Sequence, residues 1–311
     1  MEITNQITRR FCKDLKIPIN LFQEPYFNYF VELYDKHYKV KEKLGWLNEV
    51  VKDCQNQEDF FGMSEKISRS IKETIKNTTS YQTFNAFDSQ KQFLTKEKVS
   101  QQSIYIAPNI GKNLISIDLE KANFNCLNLF GLKDELKVKS YNEFMKRFTQ
   151  YDYFLNSKTI RQVIFGDLNP SRQQKVQRYI IDNLCTKLLV AGCKISSASS
   201  DEIIISSDIS VAEVKNILRD VPDEFKFFRV ESFSFDRIGN DNDYFIKTTL
   251  QENNEPKLEF KSVPAHFHAQ IFKKHYGLEI NDNDLLFHHE GFIAQFKEPL
   301  FAPTPKSKMK I

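Results

Sequence analysis

The chain has 311 residues and a formal net charge of only +3, with 41% apolar and 27% charged residues. That length buries one large core or two modest ones, and 28 Phe against 9 Gly and 10 Pro exclude long disordered tracts except at the end. So small a net charge gives no general attraction to nucleic acid, so any basic face must be local.

The five cysteines, Cys12, Cys54, Cys126, Cys185 and Cys193, are odd in number, scattered and without a CxxC pair. With no secretory apolar segment, they read as reduced thiols of a cytoplasmic protein. No apolar run approaches the roughly 20 residues of a membrane span, and no membrane partner is expected.

Residues 1–79 read as helical, with aromatics at helical spacing in EPYFNYFVELYDKHYKV and a Lys- and Ser-rich helix SEKISRSIKETIK. Lys66, Arg69, Lys72 and Lys76 give that helix a basic face, which is either solvated or a track for phosphates. Residues 80–100 read as an irregular crossing loop. Next, IYIAPNIGKNLISIDLEKANFN reads as a short strand, a turn, a second strand ending at Asp118, and a helix from about Lys121 to Phe130. Helices SYNEFMKRFT and SKTIRQVIF follow. A long amphipathic helix after Pro170 is closed by Gly192, which can take the left-handed conformation that stops a helix. KISSA and IIIS form a hairpin around SSDE, followed by helix SVAEVKNILRD and strand EFKFFRVESFSF. Residues 240–302 are less regular, with a hairpin around LLFHHEGFIAQF, and PTPKSKMKI reads as a basic tail. The order β-α-ββ-α-β describes an α+β chain, a small antiparallel sheet with helices on one face, beside an N-terminal helical subdomain.

Three constellations carry chemistry. Asp118 closes one strand, and Asp201 and Glu202 open another. Carboxylates on adjacent strand ends suit two Mg²⁺ about 4 Å apart, the arrangement for phosphoryl transfer to a 3′-hydroxyl. On a regular strand Asp201 and Glu202 point to opposite sides, making one a ligand and the other an outer partner. Asp-Glu is also ordinary hairpin-turn composition. Lys158, Arg161 and Phe165 share one helical stripe, which suits a triphosphate and a base, or an ordinary amphipathic helix. His266, His268, His275, His288, His289 and Glu290 form a late histidine group; His-x-His on a strand is zinc-like, but packing or phosphate contacts account for it better. No Gly-rich nucleotide loop, HExxH or GxSxG occurs.

Taken in order, IYIAPNIGKNLISIDLEKANF, SKTIRQVIFGDLN and SSDEIIIS resemble the polymerase module of family A DNA polymerases, the bacterial polymerase I type. The first is similar to that family's "AP-G-LVSADYSQIEL" segment, the second to its fingers helix, the third to its "HDE" hairpin. The resemblance spans about residues 104–236. It implies a polymerase-like palm, with 1–100 a thumb-like helical subdomain and crossing loop. Residues 101–239 would be palm with a reduced fingers insertion, and 240–311 a C-terminal extension. Asp118 and Asp201 would hold Mg²⁺ or Mn²⁺ and Glu202 would assist. Lys158 and Arg161 would bind the nucleoside triphosphate, Phe165 would pack on its base or sugar, and Asn123 would stand at the sugar gate. Arg172, Lys66 and Arg69 would contact the primer/template.

Departures accompany the likeness. Leu119, Asn123, Asn169, Pro170 and Ser200 stand where the family has Tyr, Glu, Tyr, Gly and His, and Arg161 replaces its fingers lysine. The implied activity is a minimal template-directed or terminal nucleotidyltransferase. The alternatives are an inactive palm-like nucleic-acid-binding protein and a single-subunit RNA polymerase relative. Richness in Lys, Asn, Ile and Phe matches an AT-rich genome and is compatible with a virus, which would place the protein in a host cytoplasm.

Overall fold

The computed structural model describes residues 1–88, 91–95, 99–206, 208–239, 242–250 and 255–301. The basic tail therefore lies outside the described residues. The chain opens with helices α1 (Asn5–Asp14), α2 (Tyr26–Tyr38), α3 (Val40–Lys52), α4 (Gln57–Lys76) and α5 (Thr79–Ala86). A capping box formed by Asn56 and Asp59 starts α4. Helix α5 corrects the expectation of an irregular loop from residue 80: Thr78 caps it by accepting from the Tyr81 amide, and Phe84 anchors it in the core.

Strand β1 (Leu114–Leu119) follows, then α6 (Ala122–Asn128), α7 (Leu132–Leu136), α8 (Tyr141–Met145), α9 (Asp152–Asn156), α10 (Lys158–Gly166) and α11 (Pro170–Val190). The short strand expected at Ile104 is absent. Residues 104–106 run into a 3-10 turn at Ala107–Asn109, because the Asn109 carboxamide turns back to the Ile104 carbonyl. Helix α11 begins at Pro170 and ends before Gly192, whose φ of 81° supplies the left-handed stop read from the sequence.

Strands β2 (Ile195–Ala198) and β3 (Glu202–Ile205), helix α12 (Val211–Ile217) and strand β4 (Phe228–Arg237) complete the expected order. The sheet does not end near residue 239. Strands β5 (Phe245–Leu250) and β6 (Pro256–Lys261) continue it, so the boundary expected at 239 falls between paired strands. Among the described residues the sheet is six-stranded and antiparallel, in the order β2-β3-β1-β4-β5-β6. Helix α13 (His268–His275) and a separate hairpin, β7 (Leu286–His289) with β8 (Phe292–Gln295), close the described chain.

Strand β1 sits inside this sheet, buried on both faces except at its end. Ile115, Ile117 and Leu119 join the large core shared with the helices. Leu114 joins Ile204, Phe233, Phe235 and Phe245 on the opposite face, covered by Ile104, Tyr105 and Ile110. Side-chain alternation then places Ser116 and Asp118 on that second face, beyond the cover.

The helices brace the sheet through polar ties as well as apolar packing. Arg178 of α11 donates to the carbonyls of Ala198 and Ser199, both at 3.1 Å, and of Val99 at 2.6 Å, pinning the β2–β3 turn. Buried Asp14 accepts from Arg10 and from Tyr153, joining α1 to α9. Residues 255–301 pack back onto α2, where Tyr29 donates to Asp284, which also meets Lys273 at 2.6 Å in a buried ion pair. All five cysteines are buried and none forms a disulfide. No described helix is long and apolar enough to cross a membrane.

Ile117 is fully buried between Ile203 and Val230 across the two ladders. Truncation to Ala is expected to cost about 3 kcal/mol, read as a lower urea midpoint at unchanged slope. A loss under about 1 kcal/mol would mean that this face of β1 is not the packed centre.

Candidate active cleft

Register builds the acidic end of the site. β1 pairs with β3 so that Ile115, Ile117 and Asp118 face Ile205, Ile203 and Glu202. Directly opposed residues share a sheet face, with Cβ atoms about 5 Å apart. Glu202 is therefore the carboxylate that faces Asp118, and Ser116 steadies it by donating at 2.6 Å. Asp201 lies in the exposed turn just before β3. Its carboxylate accepts from Ser199 at 2.9 Å, and its carbonyl accepts from the Leu119 amide at 2.8 Å. The opposite-sides expectation thus resolves into Glu202 on the strand and Asp201 on the turn.

The other neighbour of Asp118 is Arg229, its register partner on β4. The guanidinium lies 3.6 Å from Asp118 and forms an ion pair with Glu231 at 3.0 Å. Burial, and then the Glu202 carboxylate, push the Asp118 carboxyl up from 3.8 to about 6; Arg229 opposes the rise, while Asp201 and Glu231 add to it. Negative charge at this strand end is incompletely balanced.

A cleft of about 530 Å³ collects Asp118, Asp201, Asn123, Lys158, Arg161 and Phe165, residues spread over more than eighty positions of sequence. Lys158 and Arg161 come from the first turn of α10, capped by Ser157. Arg161 stands 6.0 Å from the Tyr141 ring centroid, and Lys121 reaches the same ring at 5.7 Å. Burial, then the Arg161 charge, lower the Lys121 ammonium below its ordinary value. Gln177 donates to the Asn123 carbonyl oxygen at 2.5 Å. The cleft is thus acidic at one end and basic at the other.

Two expectations fail on packing. Phe165 is only 1% exposed, with its ring toward Phe124 and Tyr141, so it forms wall rather than a platform for a base. Arg172 donates to the Phe87 carbonyl at 2.7 Å and lies over the Phe87 ring at 4.5 Å, which occupies it structurally. Lys66 and Arg69 are exposed on α4, away from the cleft; Lys66 lines a separate groove with Lys146 and Arg147.

The late histidines do not form a strand-borne pair. His266 lies in a 3-10 turn and His268 opens α13, buried, with Nε2 3.1 Å from the Tyr38 hydroxyl. Burial lowers His268 to about 3, so its ring is neutral. His288 and His289 are consecutive on β7 and so point to opposite faces. Among the described residues no three His, Cys, Asp or Glu side chains are gathered to hold a metal ion.

Sequence reasoning missed Lys121, Arg178, Arg229 and Lys257, all placed at or around the cleft. Arg229 stood inside the recognised FFRVE strand without a role. Lys121 carries a φ of 46°, which only the fold reveals. Lys257 arrives on β6, which the sequence does not announce. No protein-family model, curated protein or solved structure matches this chain.

Because folding raises the Asp118 pKa, its contribution favours the folded state below about pH 4 and is lost as pH rises through about 6. The side chain is 39% exposed, so screening reduces the effect to about 1 kcal/mol. Asp118→Asn should therefore raise the melting temperature by about 2 °C above pH 7 and leave it unchanged below about pH 4. Thermal melts across that range decide it; an equal shift at both ends would rule out ionisation of this partly buried carboxylate as the cause.

Proposed function

We propose that this protein is a minimal nucleotidyltransferase with a family A-like palm, adding nucleotides to the 3′-hydroxyl of a nucleic acid in a template-directed or terminal reaction. One observation carries the reading: Asp118 and Asp201 line the same cleft as Lys158 and Arg161, with Glu202 opposite Asp118 across the ladder. The order of motifs along the chain supports it independently.

Mg²⁺ or Mn²⁺ is the cation this chemistry would take, and Asp118 and Asp201 would offer it two carboxylates rather than a gathered group of three. Carboxylate oxygens suit hard divalent cations, and a cation here would offset both the burial of the Asp118 carboxyl and its repulsion by Glu202. Asp118 and Asp201 would hold it, with Glu202, oriented by Ser116, alongside. When bound, the metal supplies Lewis-acid activation of the attacking hydroxyl and charge stabilisation on the phosphate.

The chain's own groups do the rest. Lys158, Arg161 and Lys121 neutralise a triphosphate, with Arg161 and Lys121 kept near the Tyr141 face. Gln177 fixes the Asn123 carboxamide, so its NH₂ is the group offered to a sugar hydroxyl. Arg178 holds the turn that carries Asp201, reducing the reorganisation needed when substrate arrives.

A second reading, a nucleic-acid-binding protein without chemistry, draws support from Arg229, which already stands against Asp118 where a cation would act. Primer extension with deoxy- and ribonucleotides on DNA and RNA primers separates the two. The enzyme reading expects metal-dependent incorporation that Asp118→Asn lowers about a thousandfold or more, as several kcal/mol of lost charge stabilisation would. Lys158→Ala and Arg161→Ala should each raise the nucleotide KM about tenfold. In addition, Mg²⁺ should stabilise the wild type above about pH 6 but not Asp118→Asn. Oligonucleotide binding without incorporation, in wild type and Arg229→Ala alike, would leave the binding reading standing.

A further inference from the structure

A second groove, of about 1160 Å³, runs beside the start of β4 and along α12. It exists because β5 pairs with β4 only from Phe233 onward, so among the described residues Phe228 to Ser232 have a ladder on the β1 side alone. Phe228, Val230 and Leu250 contribute apolar surface to it, and Leu250 is 61% exposed. Lys215, Arg219, Lys226 and Arg229 line it, against the carboxylates of Glu120 and Glu231.

The distribution of those charges is informative. Glu120 and Arg229 also line the first cleft, so the two depressions adjoin at these residues. Glu231 is engaged by Arg229 at that same end. Farther along, Lys215 lies in the last turn of α12 and Arg219 two residues beyond its end, with Lys226 nearby in the chain. Lys226 meets Asp223 at 2.7 Å and Arg219 meets Asp220 at 3.8 Å, but those acids are 93% and 79% exposed and do not line the groove. Exposed pairs of this kind contribute little and exchange readily for a phosphate.

A cationic track beside an aromatic and apolar floor is the chemistry of single-stranded nucleic-acid binding. We infer that this groove carries a single strand leading away from the cleft. Its phosphates lie on Lys215, Arg219 and Lys226, and its bases lie against Phe228 and Leu250. The inference rests on reading the cleft as a nucleotide-adding site. An acidic peptide would meet the same cations but would gain nothing from the adjoining cleft.

The test is fluorescence anisotropy of the full chain with short labelled single-stranded DNA and RNA oligonucleotides over a salt series. Reversing Lys215, Arg219 and Lys226 to Glu together should weaken binding at least about tenfold. It should also flatten the slope of log affinity against log salt by about 2, at roughly 0.7 for each phosphate no longer neutralised. A control with Lys36, Lys52 and Lys297 reversed carries the same change in net charge at exposed sites outside the grooves, and should keep the slope. Circular dichroism confirms that each variant is folded.

Phe228→Ala, which leaves every charge in place, should weaken binding without altering the slope. An unchanged slope in the triple variant, an equal loss in the control, or displacement of the oligonucleotide by polyglutamate at equal charge overturns the inference. Asp118→Asn keeps the two readings apart. Oligonucleotide binding that depends on the groove while no variant incorporates nucleotide supports the groove and removes the catalytic assignment. Incorporation without groove-dependent binding does the reverse.

Discussion

The β1 register constrains everything else in this molecule. Ile115, Ile117 and Leu119 face the helices, and Ile203, Ile205 and Val230 continue that apolar face on the two flanking strands. A slip of one residue in either ladder would turn a strand's apolar set away from the core, at a cost of several kcal/mol. The apolar side of the sheet thereby dictates what happens on its other side. It sets Asp118 beside Glu202 and Arg229, an arrangement that no local preference of those charged residues would select.

That arrangement concentrates charge at the end of β1. Partial burial disfavours the ionised carboxyl, and the like charge of Glu202 opposed across the ladder adds to it, which is why the Asp118 carboxyl is raised to about 6. Arg229 relieves part of it while also holding Glu231. The guanidinium therefore sits between two partners, at the point where the cleft and the neighbouring groove meet.

The helices serve the same end by fixing the opposite wall. α10 packs on α4 and α1, and Phe124, Tyr141, Phe144 and Phe165 form a rigid aromatic block under the cations of the cleft. Phe165 sits in that block because a side chain that joins a close-packed core gains more from burial than from waiting in solvent for a ligand. Its stripe with Lys158 and Arg161 was correctly placed on a helix, yet the stripe alone does not tell which member turns inward.

The α+β class, strand β1 with its terminal aspartate, the β2–β3 hairpin and the long helix after Pro170 were all legible in the sequence. They were legible because each is encoded locally: alternation for strands, 3.6-residue spacing for helices, Gly192 for a stop. Strands β5 and β6 were not, since FIKTTL and PKLEFK set Lys247, Lys257, Glu259 and Lys261 on one face, where an apolar alternation would have marked a strand. The sequence by itself therefore determined which residues stand at strand ends and helix starts. Only the tertiary structure decided that Glu202 rather than Asp201 faces Asp118, that Arg229 lies between Asp118 and Glu231, and that Arg172 is held by Phe87. Those outcomes depend on register and packing between segments far apart in the chain, and no local pattern records them.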